Sequence, residues 1–241
     1  MSVYPNPPQA DADAAPAAPA EEAALVISAE MLVSAKAEPR RDFERGMSPF
    51  PRTTIALLCA LVATFVWEEL SGALDNVQAL LAAGAINLPE LQRGEVWRLV
   101  TCLFLHADAN HLIGNCVALY IIGMASQQAF GAGRTLMSFF LTGAVASAVS
   151  VWFQPVPTVG ASGAIFGLIG AVIAFLYRYR DKFYLRDARI AWVLLVWSLC
   201  QVGTGFLNPQ VANAAHCAGL ILGGVLGLLL PPKLQYGEST P

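Results

Sequence analysis

Six stretches of this chain are apolar for long enough to matter, at about 53–73, 110–129, 135–153, 160–177, 190–207 and 214–231. Each approaches the ~17–25 residues that a helix needs to cross a bilayer. The first is the least regular, because Glu68 and Glu69 interrupt its far end. Polar, Gly- and Pro-containing segments separate the stretches, and the longest, about 74–109, lies between the first and second. The pattern predicts an all-α, polytopic membrane protein: a bundle of six transmembrane helices over residues 51–232. Flanking it are a disordered or amphipathic N-terminal tail, 1–50, and a short C-terminal tail, 233–241.

Composition agrees. Hydrophobic residues make up 56% and charged residues 13%, about half the charged share of an ordinary soluble domain. A soluble fold would have to bury six such segments with almost no charged surface. The N-terminal stretch Pro5–Ala24 is dominated by Ala, Pro, Asp and Glu and buries too little to fold alone. Residues Ala23–Ala37 are expected as a short amphipathic helix on the cytoplasmic surface. Acidic residues before the first apolar run argue against a secretory signal or a mitochondrial transit peptide.

The net charge of −3 conceals an asymmetry between the two sides. Threading six spans puts Lys36, Arg40, Arg41, Arg45, Arg52, Arg134, Arg178, Arg180, Lys182, Arg186, Arg189 and Lys233 on the side of the N-terminus. Only Arg93 and Arg98 fall on the other. Both termini are therefore expected in the cytoplasm. Topology accounts for the basic loops, and no basic patch interleaved with aromatics indicates nucleic acid. The five cysteines are scattered through or beside apolar runs without a CxxC pair, and read as small buried hydrophobes.

The three histidines are the informative polar residues. His106 and His111 lead into the second apolar run, with Asn115 one turn after His111. His216 opens the sixth, and Gly160-Ala161-Ser162-Gly163 opens the fourth. In an alternating topology the second, fourth and sixth helices all start on the side opposite the cytoplasm. Residues more than a hundred positions apart thus share one depth. Strongly polar side chains in a membrane are costly, so their default reading is functional.

The chemistry that fits is amide hydrolysis. Ser162 is the candidate nucleophile, and a serine hydroxyl needs a base within hydrogen-bond reach. His216 is that base, and later the acid that protonates the leaving amine. His111, Asn115 and the Ser162 backbone N–H at a helix start are candidate donors to the oxyanion. No intramembrane carboxylate is placed to orient His216. Asp108 follows His106 rather than facing the sixth helix, so a dyad is expected. Phe166, one turn below Ser162, is expected to stack on His216 instead.

These pieces resemble the rhomboid intramembrane protease family. They are Trp97-Arg98, His106…His111…Asn115, Gly160-Ala161-Ser162-Gly163 with Phe166, and Ala214-Ala215-His216 followed by Gly219, Gly223 and Gly227. The likeness spans about 90 to 230 and is bacterial in type. It implies a six-helix core, no cofactor and no metal, and a Ser162–His216 dyad with His111, Asn115 and the Ser162 amide as oxyanion hole. It further implies single-pass membrane proteins as substrates, cut near the outer end of their span, and a bacterial inner membrane as the location. Trp97-Arg98 is expected as an interfacial anchor, and His106 as a structural hydrogen-bonder off the His111 face. Many members carry Glu where this chain has Gln127, a departure expected to touch loop rigidity rather than catalysis.

Each part alone is weak. Gly-x-Ser-Gly recurs in apolar helices for packing, and a lone serine more often bonds back to its own helix. Gly219, Gly223 and Gly227 form a small-xxx-small face whose plain meaning is close helix contact. Jointly, in this order and at these helix ends, the residues are specific. Three rivals stand beside this reading. One is a metal site on His106, His111 and His216, whose spacing suits no zinc pattern. Another is a non-catalytic relative that binds and escorts membrane proteins, although such relatives lack the serine or the histidine. The third is a channel or transporter, which no internal repeat supports. Neither the oligomeric state nor the physiological substrate follows from the sequence.

Overall fold

The computed structural model describes residues 40–154, 156–186, 196–203, 205 and 213–233. The long apolar runs are helices: α1, Arg52–Ser71; α5, Ala109–Phe130; α6, Ala132–Ser150; α7, Ser162–Arg178; and α8, Asn213–Leu229. Three of these, α1, α5 and α6, are long and apolar enough to cross a membrane, while α7 and α8 are shorter apolar helices. Of the expected fifth span, 190–207, residues 196–203 and 205 are described and helical, and the rest lie outside the described residues. The expected amphipathic helix at Ala23–Ala37 also lies outside them.

The segment after α1 is not a plain loop. It carries three short helices: α2, Val77–Ala83; α3, Leu88–Gln92; and α4, Arg98–Thr101. Asn76 and Asn87 start the first two by accepting from the backbone N–H groups of Ala79 and Glu90, at 2.9 and 3.1 Å. Arg98 corrects the expectation of an interfacial anchor. It is only 9% exposed, and its guanidinium reaches the Leu81 and Ala85 carbonyls and, at 2.6 Å, Glu95. Its several fixed donors let one guanidinium bond both carbonyls and the Glu95 carboxylate together. Trp97, by contrast, is half exposed, with the Arg98 guanidinium 4.4 Å from its ring centre.

α7 is the axis of the fold. Ser162 to Val172 are buried without a break, as expected of a helix apolar on every side. Around it pack α8, α6 and α5, and α1 packs on α5. The α7–α8 contact is set by glycine. A Cβ added at Gly219, Gly223 or Gly227 would run into the carbonyl oxygens of Gly163, Gly167 and Ala171 respectively. In the reverse direction, one at Gly170 would strike the Leu220 carbonyl. Backbone lies against backbone along this whole face, which only small residues permit.

Two features lie beyond the apolar pattern. Residues Arg41–Asp42 pair in parallel with Phe183–Tyr184 after α7. This seats Phe43, 2% exposed, against the rings of Phe175 and Phe183, so packed structure starts before residue 51. Gln127 lies inside α5 and accepts from both the backbone N–H and the hydroxyl of Thr54, at 3.1 and 2.8 Å. It therefore caps the first turn of α1, where Pro51 provides no side-chain cap. An amide oxygen does this as a carboxylate would, so the departure at Gln127 leaves the link between the two helices in place.

The glycine face gives an internal control. Gly223→Ala should lower the thermal unfolding midpoint, at a cost of about 1–3 kcal/mol for overpacking. Gly224→Ala, whose Cβ meets nothing within 4 Å, should be neutral or raise it, since Ala outranks Gly in a helix. Equal midpoints for the two variants in detergent-solubilised protein would contradict the packing described.

Candidate active site

Ser162 begins α7 and His216 lies in the first turn of α8. Because Gly219 and Gly223 let α8 lie on the backbone of α7, the ends of the two helices meet. His216 Nε2 and Ser162 Oγ are 2.9 Å apart, and the two residues are 2% and 9% exposed. With Nε2 accepting from the serine hydroxyl, the ring proton sits on Nδ1. That atom is buried and has no hydrogen-bond partner among the described residues. What holds the ring is Phe166, stacked on it at 4.4 Å with the planes 13° apart. Such a pair contributes about 0.5–1.5 kcal/mol beyond area burial.

The opposite wall comes from α5. Asp108 caps that helix by accepting from the His111 backbone N–H at 2.9 Å, so the acid next to His106 serves the helix end. Asn115 is fully buried, and neither atom of its amide has a partner among the described residues. An unpaired buried amide costs about 1–3 kcal/mol, and such a group is free to bind a ligand. The His111 ring lies against Gly160. A Cβ there would be 2.6 Å from His111 Cε1 and 2.8 Å from Nε2, with Asn115 Nδ2 at 3.6 Å. Gly160 also has φ +107, a backbone that L side chains rarely adopt. Two physical demands thus fix glycine at this position, and Gly160, His111 and Asn115 form one wall two residues from Ser162. Gly163 faces α6 instead, where its Cβ would fall 2.6 Å from the Ala146 methyl.

The approach to α7 is tied down by the segment between α1 and α5. Ile86 and Thr158 exchange backbone hydrogen bonds at 3.3 and 2.7 Å, and the Gly160 N–H donates to Cys102 O at 2.9 Å. Cys102 itself is fully buried. Burial pushes its thiol up to about 12, and the thiol donates to Ser147 Oγ, at 3.3 Å.

His106 is fully buried and bonds through Nδ1 to Phe104 O at 3.1 Å. It is not remote from His111, however: the two rings meet edge to face at 5.1 Å. Burial first, then His111 beside it, lower His106 to about 4, so this ring is neutral at pH 7.

Sequence reasoning passed over two residues. Glu68 lies in α1, fully buried, with both carboxylate oxygens 3.2 Å from the His106 backbone nitrogen. Its signal was present, since a charge inside an apolar run is costly unless it has a purpose. Trp197 packs on Phe166 at 5.4 Å, and its Nε1 would lie 3.7 Å from a Cβ at Gly114. Nothing in its local sequence marks it.

This arrangement offers a hydroxyl, a base and convergent donors in one buried place. Comparison with known proteins agrees with the helix pattern. The family model "Rhomboid domain" matches residues 93–233. The chain is 34% identical over 198 residues to Rhomboid protease GluP of Bacillus subtilis (strain 168), covering 81% of this chain and 38% of that protein. It is 34% identical over 169 residues to RHOMBOID-like protein 5 of Arabidopsis thaliana, covering 69% and 54%. With Rhomboid protease AarA of Providencia stuartii it shares 27% identity over 221 residues, 77% of this chain and 75% of the other. The chain thus spans about two-fifths to a half of the length of the first two relatives. The chain is an integral membrane protein and belongs to the rhomboid family.

Proposed function

We propose that this protein is a serine endopeptidase that hydrolyses a peptide bond in single-pass membrane proteins, at or near the outer end of their transmembrane helix. One observation carries the reading: the 2.9 Å contact between His216 Nε2 and Ser162 Oγ at the N-terminus of α7. Two relatives bear the name rhomboid protease, which supports the same class of reaction.

The mechanism follows from the groups present. His216 takes the Ser162 proton as Oγ attacks the scissile carbonyl carbon. The tetrahedral oxyanion forms near the start of α7, where the Ser162 N–H, Asn115 Nδ2 and His111 are the candidate donors. His216 then delivers its proton to the leaving amine. Water, deprotonated by the same imidazole, cleaves the acyl-enzyme and regenerates Ser162. With Nδ1 of His216 unpartnered among the described residues, stacking on Phe166 rather than a carboxylate orients the base.

Depth follows from length. α7 has 17 residues, about 25 Å at ~1.5 Å per residue, against a hydrocarbon core of about 30 Å. Threaded with Arg178 at the cytoplasmic surface, α7 ends short of the outer one. Ser162 then opens to water from a depression below the outer face, both termini lie in the cytoplasm, and in a bacterium this is the inner membrane. Residues 51–232 are the catalytic domain in this reading.

A substrate helix hides each amide within its own turns and must unwind locally to present one to Ser162. In lipid that exposes unpaired backbone groups, so helix-weakening residues in the substrate should decide where it is cut.

Purified protein in detergent should cleave a single-span substrate, and Ser162→Ala should abolish cleavage with expression and thermal midpoint unchanged. Full activity of that variant would remove Ser162 from the chemistry. Asn115→Ala and His111→Ala should each lower kcat by roughly 10²–10³, the usual effect of removing one oxyanion donor.

Product masses should place the cut in the outer third of the span, after a small residue. Replacing Gly, Ala, Ser or Pro there by Leu should suppress it. Cuts at the cytoplasmic end, or equal cleavage of a poly-Leu span, would contradict both topology and mechanism.

A further inference from the structure

Glu68 is the one fully buried carboxylate among the described residues, at 0% exposure. No described cation pairs with it. Its side chain spends both oxygens on a single donor, the His106 backbone N–H, at 3.2 Å each. A buried carboxylate is costly, and an apolar residue of like size commonly serves packing as well or better. Placing one beneath a single backbone N–H therefore needs a local reason.

The contacts supply it. His106 is the residue whose ring abuts His111, edge to face at 5.1 Å. Its own ring is fixed by the Nδ1 bond to Phe104 O at 3.1 Å, so anchoring the His106 backbone anchors the ring too. His111 in turn lies against Gly160 beside Asn115 Nδ2, two residues from Ser162. The other end of this short segment is held by the Gly160 N–H on Cys102 O at 2.9 Å. The run from Cys102 to His106 is thus pinned twice, once by Gly160 in the segment leading to Ser162 and once by Glu68 of α1.

We propose that Glu68 is a positioning residue: through the His106 backbone it holds the His106 ring against His111, and so sets where His111 stands in the oxyanion wall. This rests on the reading of Ser162 as nucleophile and His111 as oxyanion donor. Glu68 touches no reacting atom and is not a catalytic residue. Its oxygens hold the His106 backbone N–H at one end of this chain of contacts, and Gly160 lies against His111 at the other.

The protein has only three histidines, so its imidazole NMR signals can be assigned one by one in histidine-labelled full-length protein in detergent. Glu68→Leu should shift the His106 and His111 ring signals and leave those of His216 in place. It should also slow labelling of Ser162 by a fluorophosphonate roughly 10- to 100-fold, the scale of a misplaced catalytic group. Glu68→Gln, which keeps one acceptor oxygen, should restore most of that rate. In a His111→Ala background, Glu68→Leu should cost no more than about twofold further, because the group it positions is gone.

Unmoved His111 signals in folded Glu68→Leu would overturn the proposal. So would an undiminished effect on labelling in the His111→Ala background. If Glu68→Leu does not fold, Glu68→Met, which likewise has no acceptor oxygen for the His106 N–H, carries the same test of the His106 and His111 signals. A parent protein that takes no label at all would sink the protease reading instead, while the ring shifts would still decide the role of Glu68.

Discussion

The contact of α7 with α8 is the constraint on which the site depends. Gly219, Gly223 and Gly227 leave no side chain between α8 and the carbonyls of Gly163, Gly167 and Ala171. That proximity puts His216 within hydrogen-bond distance of Ser162 although 54 residues separate them. Without a hydrophobic driving force between helices in lipid, close van der Waals contact supplies the association. The surface that holds the helices together is therefore the one that brings His216 to Ser162, and packing cannot be loosened without moving that contact.

A second constraint is polar satisfaction where water is scarce. Most buried polar groups between the helices are paired: Ser126 with Thr135 at 2.9 Å, Ser150 with Thr158 at 3.0 Å, Thr54 with Gln127. Against that background the Asn115 amide and His216 Nδ1, buried and unpartnered among the described residues, stand out. Both lie at the Ser162 end of the bundle. Ser138 Oγ and His106 Nε2 are also buried without a partner among the described residues, but only the Asn115 amide and His216 Nδ1 belong to side chains that face Ser162 and Gly160.

The long apolar runs were legible because lipid-spanning helices must satisfy every backbone group internally, and so write themselves as unbroken apolar sequence. The Ser162, His216, His111 and Asn115 set was legible for the complementary reason: polar residues are rare in such runs, so those present carry information. Phe166 followed from helical spacing alone. Arg98 was misplaced because a Trp-Arg pair between spans looks the same whether it meets headgroups or the ends of α2. The partners of that arginine at Leu81 and Ala85 are backbone carbonyls, which no side-chain pattern encodes. Glu68 escaped because its partner is likewise a backbone group, the His106 N–H. Phe43 and the pairing of Arg41–Asp42 with Phe183–Tyr184 were invisible to a search for spans, since two short segments far apart carry no periodicity.

The central claim, that glycine packing of α7 on α8 creates a nucleophilic serine, is tested most directly by what a serine-directed fluorophosphonate modifies. Intact mass followed by peptide mapping should find one adduct, on Ser162. His216→Ala should take up label at a rate lower by orders of magnitude while unfolding near the parent temperature, because the histidine acts as the base and little else in the packing needs it. An adduct on another residue, or labelling of His216→Ala at the parent rate, would contradict the account.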